Sequence, residues 1–265
     1  MRIRLRTSLK WTVLVVMLFS WAQVALSMEP NEAMQMLKAG NARFVAQSSL
    51  YPSCGCTYPD TCSEATNRDR ECKLTTPNDL ACLKSGQNPF ATIVSCSDSR
   101  IVPETIFDTG FEDLFVIRVA GNTYDDVALG SMEYGVEHAH TPVLVILGHQ
   151  HCGAVTATVN SLLSFSEEGG YIRSILNRIF FPVVQALIEY KWPTTNEETN
   201  ELIGRAIKKN VEYVKEVVID RSETVRELID KGELRVVGAI AYMEGVPGQV
   251  TINPGEVVFD DDPRW

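Results

Sequence analysis

Beyond its first ten residues the sequence carries no cluster of basic side chains, and its formal net charge is −10. Nucleic acids and anionic membrane surfaces are held chiefly by Lys and Arg, so this balance argues against both as partners. The apolar stretch from Trp11 to Phe19 is too short for a membrane span. No Cys stands at the Ala25-Leu26-Ser27 junction, which argues against lipoprotein processing. There is no internal repeat and no linker that would divide the chain, and 265 residues suit one α/β domain with a sizeable core.

What is present begins with an export signal. Arg2, Arg4, Arg6 and Lys10 precede the apolar stretch, and small residues come after it at the positions a signal peptidase reads. The expectation is a signal peptide over residues 1–27, cut after Ser27, with an uncleaved anchor as the alternative. The leader's four basic residues come with no acid, so the remaining chain, 28–265, carries −14. It is expected in the periplasm or secreted, with no stable membrane association after cleavage.

Residues 51–86 hold Cys54, Cys56, Cys62, Cys72 and Cys82 among Gly, Pro, Thr, Asn and Asp, with little apolar periodicity. This reads as a loop-rich insertion. In an exported chain such cysteines pair as disulfides more often than they bind metal. Five cannot all pair internally. A second metal site is the alternative, but no His lies nearby and Cys-x-Cys fits common zinc spacings poorly.

The remaining pattern alternates strands and helices. Apolar runs at 91–95, 114–119, 143–147 and 236–242 read as buried parallel strands, and 249–252 as a short edge strand. Helices are expected over 30–47, 103–107, 125–137, from Gly153, over 171–190 with Pro182 kinking or splitting it, and over 199–218 and 221–230. In the 125–137 helix Val127, Met132, Tyr134 and Val136 form the candidate buried face, and Gly130 allows close packing. Residues 254–265 read as an acidic tail. The fold class is therefore α/β, with four parallel strands and a short edge strand flanked by helices.

Two strands end in chemistry. Ile93-Val94-Ser95 leads into Cys96-Ser97-Asp98-Ser99-Arg100, and the run 143–147 leads into Gly148-His149-Gln150-His151-Cys152-Gly153. Parallel sheets bind ligands just beyond the carboxyl ends of their strands. Two thiolates and one imidazole suit zinc with its fourth position open to water, and zinc lowers the pKa of such a water to about 7. Asp98 has two possible fates: it occupies that fourth position, or it pairs with Arg100 two residues on. His151 is a conceivable proton carrier, though a plain loop histidine is the simpler reading.

Cys96-x-Asp98-x-Arg100 followed by His149-x-x-Cys152 resembles the zinc and catalytic signature of the β-class carbonic anhydrases. The likeness runs from about Gln87 to Ile252 and includes Pro103-Glu104, Asp113-Leu114-Phe115-Val116, Ala120-Gly121-Asn122 and Glu133-Tyr134. Val119 departs from it, standing where the family commonly has asparagine. The resemblance implies reversible hydration of carbon dioxide to bicarbonate, zinc on Cys96, His149 and Cys152, and a catalytic Asp98 clamped by Arg100. It also implies a substrate pocket of Gln87, Phe115, Tyr134 and Gly153, partly supplied by the adjacent protomer of a homodimer or larger homo-oligomer. The N-terminal helix packs across that neighbour in the family, or on its own core. One branch of the family carries a tryptophan three residues before the first zinc cysteine and closes its site in bicarbonate. Here that position is Ile93, so an open site is expected. Carbonyl sulfide or carbon disulfide hydrolysis on the same ligands is the nearby alternative, and a non-catalytic zinc-binding interaction protein the remote one.

Overall fold

The structure is a computed structural model and describes residues 28–46, 75, 77–244 and 254–265. The expected leader, most of the Cys-rich insertion with Cys54, Cys56, Cys62 and Cys72, and the expected strand at 249–252 lie outside the described residues. Short runs of β-branched and aliphatic residues supply the sheet; the central ones, 91–95 and 143–149, are buried throughout. The strands are β1 (Ala91–Ser95), β2 (Leu114–Arg118), β3 (Val143–His149), β4 (Arg235–Tyr242) and β5 (Glu256–Phe259). They lie in the order β2-β1-β3-β4-β5, with the first four parallel and β5 antiparallel to β4. This is the expected fold class.

Alternation along the strands divides the core into two clusters. Ala91, Ile93, Val143, Val145, Leu147, Val237 and Ala239 point to one face, with helix α1 (Pro30–Val45). Val94, Leu144, Ile146, Val236 and Ile240 point to the other. Every residue of β3 is buried, and each apolar side chain so placed contributes about 1.5–3 kcal/mol. Helix α1 rests on its own chain: Asn41 donates to Ile106 O at 3.1 Å and Gly255 O at 2.9 Å, and accepts from Val257 N at 2.8 Å. Helix α2 (Pro77–Cys82) places a short helix inside the Cys-rich segment, and Cys82 ends it. Helix α3 (Pro103–Ile106) comes after β1, and α4 (Asp126–Glu137) after β2.

Three expectations are corrected. In α4 the buried side is Ala128, Met132, Gly135 and Val136, while Val127 is 78% and Tyr134 50% exposed in the single chain. The periodicity marked a helix, but Val127 lies open and Tyr134 is only half covered, by Phe115 of β2. The close approach comes at Gly135, not Gly130: a Cβ on Gly135 would lie 2.3 Å from Thr92 Oγ1, whereas one on Gly130 would meet nothing. After α5 (Gly153–Ser164), helix α6 (Ile172–Glu189) runs through Pro182 without splitting. Ile179 and Val183 beside the proline are fully buried, so packing offsets the backbone hydrogen bond that the proline removes. Helices α7 (Asn196–Arg221) and α8 (Glu223–Asp230) lead to β4. Finally, 254–265 is no solvated tail. It forms β5, with Val257, Val258 and Phe259 buried, and its acids are paired: Asp260 with Lys215, Asp261 with Lys38 and Arg235, Asp262 with Arg264.

Candidate metal centre

Strand register brings the two strand ends together. Ser95 is level with Leu147 of β3 and Arg118 of β2, so Cys96 leaves the sheet beside the end of β3, where His149 is the last strand residue. Cys152 stands three residues later, at the N-cap of α5. The ligand atoms of Cys96, His149 and Cys152 all lie within 4.8 Å of one another, and all three residues are buried. Among the described residues no other group of His, Cys, Asp and Glu is gathered in this way.

The donor set fits a metal ion. His149 Nδ1 lies 2.9 Å from Gln150 O, an arrangement in which the ring donates there and leaves Nε2 its lone pair. Nε2 is buried and has no hydrogen-bond partner. An orphaned polar atom in the interior is costly, and a cation held with two sulfurs removes that cost. The Cys96 pKa is lowered, first by the hydrogen bond from Cys152 and, against burial, by His149 and by backbone N–H groups at Asp98 and Gly121. Cys152 is raised by the same hydrogen bond and by burial. The pair thus favours the thiolate at Cys96 over that at Cys152, and a cation would favour both thiolates.

Asp98 and Arg100 take the second of the two fates. Arg100 Nε donates to Asp98 Oδ1 at 2.9 Å and Nη2 to Oδ2 at 2.6 Å, and the Arg100 backbone N–H adds a bond to Oδ1 at 3.0 Å. These bonds hold the Asp98 carboxyl well below the usual carboxylate range, with partial burial opposing them. Oδ2 stands 3.9 Å from His149 Nε2. The carboxylate is therefore beside the ligand cluster and gripped from the other side. His151, at φ +58°, gives its carbonyl to Arg100 Nη2 at 3.2 Å and turns its ring to Glu244, 3.3 Å away.

Arg118 is the residue that sequence reasoning missed. It ends β2 and donates from Nε to Cys96 O at 3.2 Å and from Nη2 to Asp98 O at 2.6 Å. Only the pairing of Ser95 with Arg118 would have revealed it. Gln150, also passed over, accepts from Met243 N and Glu244 N through Oε1 and ties the end of β3 to the end of β4.

A family model described as carbonic anhydrase matches residues 91–247. Carbonic anhydrase 2 of Mycobacterium tuberculosis is 32% identical over 215 residues, which span 81% of this chain and 89% of that protein. The chain belongs to the β-class carbonic anhydrases. The carbonic anhydrase of Mycolicibacterium smegmatis is 39% identical over 150 residues, 57% of this chain and 63% of that protein. Among solved structures, a tetrameric β-carbonic anhydrase from Sordaria macrospora superposes with TM-score 0.58 at 26% identity, over 70% of this chain and 87% of that one. The β-carbonic anhydrase CcaA gives 0.57 at 25%, over 69% and 84%. The enzyme's activity is that of its family, reversible hydration of carbon dioxide to bicarbonate and a proton.

The four residues assigned to the carbonic anhydrase substrate pocket are not gathered at this centre in the single chain. Phe115 and Tyr134 stack with ring centroids 5.9 Å apart. Phe115 is level with Thr92, three residues short of Ser95, roughly 10 Å back along the strand. Gln87 is exposed, ahead of β1. Gly153 alone adjoins the cluster. It opens α5, and a Cβ there would meet nothing.

Proposed function

We propose that Cys96, His149 and Cys152 hold one zinc ion, and that Asp98, clamped by Arg100, works beside it in carbon dioxide hydration. The observation that carries the reading is the buried, unpartnered Nε2 of His149 between two cysteine sulfurs. Zinc, when bound, supplies a Lewis acid that yields a nucleophile from water near neutral pH. The protein's own contributions are positional. The Arg100 fork keeps Asp98 ionised and away from the ligand position, so Oδ2 can accept a hydrogen bond from the nucleophile and fix its lone pair toward carbon. Arg118 holds the carbonyls on either side of Ser97 and sets the height of that carboxylate. Gly153, with no neighbour where a Cβ would stand, leaves room for a small substrate at the mouth of the site.

The pocket residues point to assembly. Gln87, Phe115 and Tyr134 serve the site of an adjacent copy rather than their own, which accounts for their distance from Cys96. β2 is an edge strand whose residues are only half buried, and Val127 and Tyr134 lie exposed on α4 behind it. An open apolar edge of this kind favours pairing with another chain. The tetrameric relatives from Sordaria macrospora support a homo-oligomer here. Export through a leader at 1–27, with a single domain over 28–265, completes the reading.

Metal analysis tests the ligand assignment. Purified protein should carry one zinc per chain, and Cys152→Ser or His149→Ala should lower zinc content together with turnover. Stoichiometric zinc in both variants would overturn it. Assaying carbonyl sulfide beside carbon dioxide on the same preparation tests the substrate, with carbon dioxide expected to be turned over far faster.

A further inference from the structure

We propose that Asn210 is a positioning residue for the metal ligand Cys96, acting through Gly121. The inference rests on the zinc reading of the site and extends it to a helix that carries none of the ligands. The Gly121 N–H donates to Cys96 Sγ at 3.1 Å in the interior. Gly121 itself stands at φ 72°, ψ 19°, inside a tight turn between β2 and α4. The backbone of that turn is closed locally by Asn122 N to Val119 O at 2.9 Å, and Thr123 Oγ1 reaches Ala120 O at 3.3 Å. These bonds set the shape of the turn, and Val119 N to Ser95 O at 3.0 Å ties its start to β1, but none of them holds the Gly121 carbonyl.

Asn210 supplies what they lack. It lies on α7, is 1% exposed, and donates from Nδ2 to Gly121 O at 2.9 Å across 89 residues of sequence. Helix α7 also packs against β3 and β4, so the bond ties the turn to the rigid side of the sheet that carries His149. With both its N–H and its C=O engaged, Gly121 cannot rotate away from the sulfur. A hydrogen bond to a thiolate limits the charge it donates to a metal and fixes its direction, and outer partners of this kind alter metal affinity by roughly 10–100-fold. A burial explanation alone is weak, because a leucine would fill the same space on α7 without leaving Oδ1 unpartnered, as it is now.

The test compares Asn210→Leu with Val218→Ala, a buried position on the same helix with no bond to the turn. Both are prepared as the full-length zinc protein and, separately, loaded with cobalt(II). Asn210→Leu should remain folded, bind zinc about tenfold more weakly in competition with a chelator, and shift the thiolate-to-cobalt absorption band. Val218→Ala should lower the unfolding midpoint while keeping wild-type zinc affinity and the wild-type cobalt spectrum. Unchanged affinity and spectrum in Asn210→Leu would overturn the proposal, as would equal zinc loss in Val218→Ala. Wild-type protein that binds neither metal would instead refute the site assignment, a different and recognisable result.

Discussion

Gly121→Ala is the substitution whose cost the geometry states most plainly. At φ 72° an L residue with a Cβ pays about 1–2 kcal/mol for the left-handed conformation. The new methyl would also lie 2.6 Å from Ile179 Cδ1 and 3.0 Å from Ala154 Cβ. Ile179 is fully buried and Ala154 has no side chain to rotate, so the neighbours have little room to give. Overpacking of this kind costs about 1–3 kcal/mol. The two effects together predict a loss of about 3 kcal/mol, a large part of the ~5–15 kcal/mol that holds a typical domain. Urea unfolding at fixed zinc concentration measures it, read as a shift of midpoint at constant slope. Ile179→Val removes the clashing Cδ1, so the double variant should recover about 1–2 kcal/mol relative to the sum of the single effects. A Gly121→Ala protein within about 0.5 kcal/mol of wild type, or strict additivity in the double variant, would refute the packing argument.

Asp98→Asn should keep zinc and lower turnover at least tenfold, because orientation and proton acceptance are lost but no ligand is; unaltered turnover would count against a catalytic Asp98. Its pH behaviour is set by the sign of the shift. The folded pKa is depressed by the Arg100 hydrogen bonds, so the stability this pair contributes is present above the unfolded value of about 3.9 and lost as pH falls through the folded one. Acid unfolding curves of wild type and Asp98→Asn should therefore converge at low pH, and a gap that persists there would contradict the assignment. Phe259→Ala should cost about 3–5 kcal/mol, as a 2% exposed ring packed on Phe107 in β5 requires, whereas a solvated tail would tolerate it. Exported protein should begin at Met28 and carry disulfides among Cys54, Cys56, Cys62, Cys72 and Cys82. Intact mass before and after reduction checks both, and a chain starting at Met1 would refute export processing.

The strand ends were readable in the sequence because the same short runs encode burial and position. Ile93 to Ser95 must be a strand, and Cys96 to Arg100 must then emerge at the sheet's carboxyl edge. Arg118, Gly121 and Asn210 were not readable, since their roles depend on register and on a helix packed 89 residues away. Residues 254–265 read as an acidic tail because Lys215, Lys38 and Arg235, the partners of Asp260 and Asp261, meet them only once β5 is docked. Val127 and Tyr134 repeat at helical spacing, but spacing gives a face without saying whether it meets the chain's own sheet or another copy. The resemblance supplied the pocket residues; in the single chain Gly153 adjoins the ligands, while Phe115 and Tyr134 stack together farther back along β2.

Zinc on Cys96, His149 and Cys152 and the hydration of carbon dioxide should be one property of this enzyme, gained and lost together. Stopped-flow carbon dioxide hydration, run with zinc analysis on the same samples of wild type and Cys96→Ser, puts that to the test. Wild type should carry one zinc per chain and accelerate hydration well beyond the uncatalysed rate, and Cys96→Ser should lose metal and acceleration together while still folding. Full zinc occupancy and undiminished hydration in Cys96→Ser would contradict it.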